Sequence, residues 1–168
     1  MIHGEKVFMD TVNEEDLEVL RVMRNSGSTW KYLSNTFQIN QQNQIKWYID
    51  QSLDLTKQYF LIRQLKTNSA VGCVWFDDWD RINSHCRIGI FIADGYKRRG
   101  YALDSLQGFI DYLHNSLNIH RVWLLVHEDN EAARNLYTKL GFKNEGIQKD
   151  AIFRNGKYSN YIMMAKIW

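Results

Sequence analysis

The stretch KRRGYALDSLQGFIDYLHNSL, residues 97–117, most constrains what this chain can fold into. A basic turn and one glycine, Gly100, stand directly before a strongly amphipathic helix. Leu103, Leu106, Ile110, Leu113 and Leu117 recur at steps of three or four, which keeps one helix face apolar. The first turn of a helix has backbone N–H groups with no internal partner and carries the positive end of the helix dipole. A residue without a Cβ lets an anion come close to that backbone, and Lys97, Arg98 and Arg99 add formal charge. These residue types in this order predict a cradle for a phosphate or diphosphate.

The rest of the chain supplies a sheet for that helix. Residues 7–9 read as a short strand. Asn13 with Asp16 three residues on marks a helix start, and Leu17, Leu20 and Met23 carry helical spacing. A second helix begins near Gln44 and runs through Ile45, Tyr48, Ile49 and Leu53. Residues 58–66, 71–78 and 84–93 read as strands joined by the short polar turns TNS and DRIN, hence as antiparallel hairpins. Residues 121–128, RVWLLVHE, are apolar on both faces, as a central strand is. A strand, the 97–117 helix and another strand make a crossover, so 84–93 and 121–128 should run parallel. Asn130 caps a short helix carrying Ala133, Leu136, Tyr137 and Leu140, which Gly141 ends. A last hairpin, 143–153 and 157–167, turns at Asn155-Gly156. The expected order is strand–helix–helix–strand–strand–strand–helix–strand–helix–strand–strand. This is a mixed α/β sheet with one parallel pair inside antiparallel flanks, in a single domain spanning 1–168.

The 168 residues suffice for one domain with a real core, and a net charge of +2 is too small to argue for nucleic acid. No apolar run approaches the ~20 residues of a membrane span, and MIHGEKVFMD has no signal-peptide core. Two cysteines, Cys73 and Cys86, sit in separate strands and read as buried thiols, which fits a reducing cytoplasm. The five histidines lack ligand spacing, so no metal site is expected.

Two motifs carry a resemblance to a known family. IGIFIADGYKRRGYA, residues 88–102, resembles a strand followed by the signature Gln/Arg-x-x-Gly-x-Gly/Ala, here Lys97-Arg98-Arg99-Gly100-Tyr101-Ala102. HEDNEAARNLYTKLGF, residues 127–142, resembles Asn-x-x-Ala-x-x-x-Tyr-x-x-x-Gly-Phe after a strand end. Both belong to the pattern of the GNAT N-acetyltransferases, with the acyl-CoA N-acyltransferase fold that goes with it. Lys97 departs from Gln or Arg, and Arg98 stands where glycine is frequent. Backbone N–H groups remain the main donors to a diphosphate.

The resemblance implies an N-acetyltransferase with acetyl-CoA as co-substrate. It places the diphosphate on Lys97, Arg98, Arg99, Gly100, Tyr101 and Ala102. It runs the pantetheine arm along Phe91, Ile92 and Ala93 and against Asn130 and Ala133. The Ile92 N–H would polarise the thioester carbonyl, and Tyr137 would protonate the leaving thiolate. For the proton of the incoming ammonium, His127 and Glu128 at the strand end and a water chain to solvent stay open.

The acceptor is expected to be a small-molecule amine, with no nucleic acid or membrane partner, and a homodimer is left open. Residues 24–62 resemble the amino-sugar-nucleotide branch through Arg24, Trp30, Tyr32, Phe37 and Trp47, whose rings and amides suit a polyhydroxylated ring. The same aromatics also fit core packing. The tail 146–164 resembles the spermidine acetyltransferases. A polycation needs an acidic funnel, and Glu14, Glu15, Asp16 and Glu18 cluster, though on an outer helix face. Ribosomal-protein N-terminal acetylation and a non-catalytic acyl-CoA sensor are the remaining alternatives.

Overall fold

Period-two burial in the middle of the chain organises the molecule, a computed structural model that describes residues 1–27, 29, 32, 33 and 37–168. The strands are β1 Ile2–His3, β2 Val7–Thr11, β3 Gln58–Gln64, β4 Ala70–Asp80, β5 His85–Ile92, β6 Arg121–His127, β7 Lys143–Arg154 and β8 Lys157–Ile167. The helices are α1 Leu17–Asn25, α2 Gln41–Leu53, α3 Tyr101–Leu117 and α4 Glu131–Lys139. The strands form one sheet in the order β1-β2-β3-β4-β5-β6-β8-β7. Among the described residues only β5 and β6 pair in parallel, joined by α3.

Two points differ from the expected order. Ile2–His3 adds an edge strand opposite Phe8–Met9, and two residues carry no readable alternation. Helix α2 starts at Gln41 rather than near Gln44, because the Asn40 side chain accepts the Asn43 N–H at 2.8 Å and caps it.

Each inner strand sends alternate residues to opposite faces. Phe60 and Ile62, Val74 and Phe76, and Ile88 and Ile92 pack with Leu106, Phe109, Ile110 and Leu113 of α3. The apolar face of α3 is wider than the expected stripe: Phe109 is fully buried, while Leu103 and Leu117 are half-buried. On the other face Leu61 and Cys73 join Val12 and Leu20, with Trp47, Tyr48, Tyr59, Trp75 and Phe91 packed against them. Fully burying one such large apolar side chain stabilises the fold by roughly 1.5–3 kcal/mol. Asp16 ties α1 to the sheet. It accepts the Asn13 N–H at 3.1 Å and pairs with Arg63 of β3.

Burial raises four weak acids together. The Cys73 and Cys86 thiols move from 9.0 to about 12, and the Tyr59 and Tyr137 phenols from 10.0 to about 12, desolvation being the main cause in each. Between these values the unfolded chain has released protons that the folded chain keeps, so stability falls as pH rises. The denaturant midpoint is expected to be insensitive to these groups below about pH 9 and to decline steadily between about pH 9 and 12. Urea titrations across that range check this. A flat profile to pH 12, or one unaltered by replacing both cysteines with alanine, would contradict it.

Candidate active site

Pairing between β5 and β6 is short. His85, Cys86 and Arg87 face Arg121, Val122 and Trp123, and no pair follows. Beyond that point β5 stays with β4 up to Ile92 opposite Gly72, and β6 stays with β8 up to His127 opposite Tyr161. The parallel strands therefore part and leave a wedge at their C-terminal ends. The Ala93 N–H donates to the Val71 carbonyl at 2.8 Å, towards β4. Strand alternation then turns the backbone groups of Ile92 and Ile90 into the wedge and those of Phe91 towards β4. Of the three residues expected along the pantetheine arm, Ile92 is the one with its N–H facing the gap.

Helix α3 begins at the mouth of this wedge. Asp104 N–H is the first to find a helical acceptor, the Gly100 carbonyl at 3.1 Å. Among the described residues, the backbone N–H groups of Arg98, Arg99, Gly100, Tyr101, Ala102 and Leu103 donate to no protein acceptor. Gly100 has φ +84°, left-handed, and a Cβ there would meet only Lys6 Nζ, at 3.1 Å. Arg98 also has positive φ, 62°, which explains the frequency of glycine at that signature position and costs about 1 kcal/mol for a side chain. This turn fits a diphosphate: six amides without protein partners, with the Lys6 ammonium beside Gly100. Around it, Lys97 pairs with Asp94 at 2.7 Å and the Arg99 guanidinium lies over the Tyr96 ring at 5.6 Å. Gln64 Nε2 donates to the Tyr101 hydroxyl at 2.8 Å, so of Tyr101 the unpaired N–H is the group left at the cradle.

At the end of β6, Asn130 caps α4. Its side chain accepts the Ala133 N–H at 3.2 Å, and its own N–H donates to the His127 carbonyl at 2.9 Å. Tyr137 lies about two helical turns further on, buried against Phe142 with ring centroids 5.7 Å apart. His127 is flanked edge-on by Tyr32 and Tyr161, at 6.0 and 6.3 Å between centroids. Its Nε2 is 3.2 Å from Ser159 Oγ; its Nδ1 is buried, makes no hydrogen bond and lies 3.8 Å from Asp129 Oδ2. Glu128 is bound differently. Its two carboxylate oxygens accept the Asn160 N–H at 2.8 Å and the Asn160 side-chain amide at 2.9 Å, which fastens β8 to the end of β6.

The aromatics expected to line an acceptor site do not converge. Trp47 packs edge-on to Tyr59 at 4.9 Å, and Tyr59 stacks on Trp75 at 5.7 Å, a row across the sheet with Arg24 at 6.0 Å over Trp47. Burial lowers the pKa of Arg24, as for a cation taken into packing. Phe37 is exposed, Tyr32 stands at His127, and Trp30 lies outside the described residues. Ser159, Asn160 and Tyr161 were missed from sequence, since only the β6–β8 pairing brings them to His127. Among the described residues no three His, Cys, Asp or Glu side chains are grouped to hold a metal ion, and no helix is long and apolar enough to cross a membrane.

A mixed sheet parted between its two parallel strands, with a helix start full of unpaired amides at the opening, defines an acyl-CoA-dependent acyltransferase. The model of the acetyltransferase (GNAT) domain matches residues 6–143. The chain belongs to the GNAT acetyltransferase family, and it is an N-acetyltransferase with acetyl-CoA as co-substrate. It is 25% identical over 167 residues to the uncharacterized N-acetyltransferase p20 of Bacillus licheniformis, covering 98% of this chain and 94% of that protein. It is 32% identical over 93 residues to spermidine N(1)-acetyltransferase of Escherichia coli K12, which is 55% of this chain and 50% of that enzyme. The crystal structure of spermidine N-acetyltransferase from Vibrio cholerae in complex with CoA and spermine superposes with a TM-score of 0.92 at 21% identity, over 98% of this chain and 96% of that one.

Gly100→Glu puts bulk and negative charge over the unpaired amides. It is expected to weaken CoA binding by at least about a hundredfold, the scale of losing several charge-assisted hydrogen bonds. Calorimetric titration with CoA measures this, and unchanged affinity would remove the turn from the site.

Proposed function

We propose that this enzyme acetylates a primary amine of the polyamine class by direct transfer in a ternary complex. The observation that carries this reading is the cluster at the end of β6. Two tyrosine rings, a histidine with one nitrogen near a serine hydroxyl, and the Asp129 carboxylate stand together there. The Asp129 carboxylate suits the charge of an alkylammonium and the aromatic rings suit its apolar stem, whereas a sugar nucleotide also brings the negative charge of its diphosphate. The spermidine for which the acetyltransferase relatives are named points the same way. An amino-sugar nucleotide lacks comparable support, because Arg24 and Trp47 are engaged in packing on the sheet.

Acetyl-CoA supplies the activated acetyl thioester. The Ile92 N–H, turned into the wedge, stabilises negative charge on the thioester oxygen, worth about 3 kcal/mol per donor. The acceptor must lose a proton before its nitrogen can attack, and an alkylammonium of pKa about 10.4 resists this by roughly 4–5 kcal/mol at neutral pH. His127 takes that proton through Ser159 Oγ, and Asp129 faces the positive charge the ring acquires. The new C–N bond forms as the C–S bond breaks. Tyr137, whose phenol burial holds at about 12, remains protonated and donates a hydrogen bond to the departing sulfur. Full transfer from that phenol to a thiolate of pKa about 8.5 is uphill, so the thiolate takes up, through water, the second proton that the acylated nitrogen sheds as the amide forms. Asn130 keeps its side-chain N–H donors for the pantetheine arm while its oxygen caps α4.

Free-thiol release with acetyl-CoA and a panel of amines tests the acceptor. Turnover with spermidine or spermine is expected. Turnover only with amino-sugar nucleotides would overturn the polyamine reading, and CoA binding without turnover on any amine would favour a sensor. His127→Ala is expected to lower kcat/KM for the polyamine by about a hundredfold. Tyr137→Phe is expected to lower kcat by about tenfold with less effect on CoA affinity, since the hydrogen bond strengthens in the transition state. An unaltered kcat removes the tyrosine from the mechanism.

A further inference from the structure

Three consecutive N–H groups ahead of and entering β2 converge on one carboxylate. Glu5 donates to Asp104 Oδ1 at 2.8 Å, and Lys6 and Val7 donate to Asp104 Oδ2 at 2.9 and 3.0 Å. Gly4 closes on the same group: a Cβ there would collide with the Asp104 carboxylate. The Gly4 N–H donates to the Val7 carbonyl at 2.8 Å, and the Lys6 carbonyl accepts the Leu65 N–H at 3.0 Å. The backbone of Lys6 is thus held from both sides. Its ammonium reaches the lip of the amide cradle, 3.5 Å from the Arg99 carbonyl oxygen and 3.1 Å from where a Cβ of Gly100 would stand.

Asp104 is an unexpected residue at this end of α3. A carboxylate in the first turn favours the helix dipole but repels a phosphate bound at the same turn. Here its charge is turned onto three backbone donors outside the helix. Among the cations of the loop, Lys97 is paired with Asp94 and Arg99 lies on Tyr96. Lys6 is exposed, and a contact of 3.5 Å to a carbonyl is long for an N–H···O bond, so its charge stays available to an anion over Gly100.

We infer that Lys6 is a further binding residue for the acyl donor, a cation brought to the diphosphate from the N-terminal strand, and that Asp104 is the positioning residue that holds it there. The inference rests on residues 98–103 being the diphosphate cradle. It differs from the loop signature in using a side chain more than ninety positions away in sequence.

Calorimetry of the full chain with CoA and with dephospho-CoA tests it, after thermal melts show each variant folded. Lys6→Met is expected to weaken both ligands equally, by about tenfold at low salt and less at high salt. It is also expected to raise the KM for acetyl-CoA more than it lowers kcat. Lys6→Arg should restore most of the affinity. Asp104→Asn should weaken CoA binding alone but add little in the Lys6→Met background. Wild-type affinity in Lys6→Met overturns the inference while leaving the cradle intact. A loss seen with CoA but not with dephospho-CoA moves the ammonium to the 3′-phosphate and overturns its assignment to the diphosphate. An Asp104→Asn loss that persists in full without Lys6 overturns the positioning role. Absence of CoA binding by the unsubstituted chain would instead defeat the cradle itself.

Discussion

Parallel pairing between β5 and β6 stops after Arg87 and Trp123, and the backbone groups that follow on the facing edges lose their partners in the sheet. Unpaired N–H and C=O groups are costly when buried, so such an edge must meet water or a ligand with amides of its own. The right-handed crossover then brings α3 back over the sheet with its N-terminus beside the opening. One topological event therefore produces both halves of the proposed donor site: a gap of a shape to take an amide chain, and a set of unpartnered amides suited to a diphosphate. The apolar face of α3, with Leu106, Phe109, Ile110 and Leu113 fully buried, keeps that N-terminus in place.

Two carboxylates near the site, Glu128 and Asp104, each bind backbone from a distant segment. Glu128 binds Asn160 through both oxygens and so locks β8 to the end of β6. Asp104 does the same for residues 5–7 beside the cradle. A carboxylate that accepts two or three N–H bonds is a fixed point, and each of these stands where two distant segments must meet. In the proposed mechanism the side chains that act on the amine are His127 with Ser159 and Asp129, beside the rings of Tyr32 and Tyr161.

Local patterns in the chain were a good guide wherever one element decides a residue's environment. Gly100 before the α3 stripe, Asn130 before α4, and the strands β3, β4, β5 and β6 were all readable, because capping, helical spacing and alternation act over a few residues. Trp47 left two readings open for a physical reason. An aromatic at helical spacing presents the same pattern whether it stacks on a ligand or on Tyr59, and only the packed sheet distinguishes the two. Lys6, Asp104, Ser159 and Asn160 gave no local signal at all, since their partners come from other elements of the sheet and from α3.

The order of hydrophobic and polar residues was enough to determine the crossover and the basic glycine turn, because these depend on short-range periodicity and on the amides every helix start exposes. The family was legible through the resemblance of two motifs, residues 88–102 and 127–142. Tertiary structure alone decided which strand edges part, which carboxylates are tied down, and which side chains from remote segments gather at His127 and Gly100. Those outcomes depend on register and on three-dimensional proximity, which no window along the chain contains.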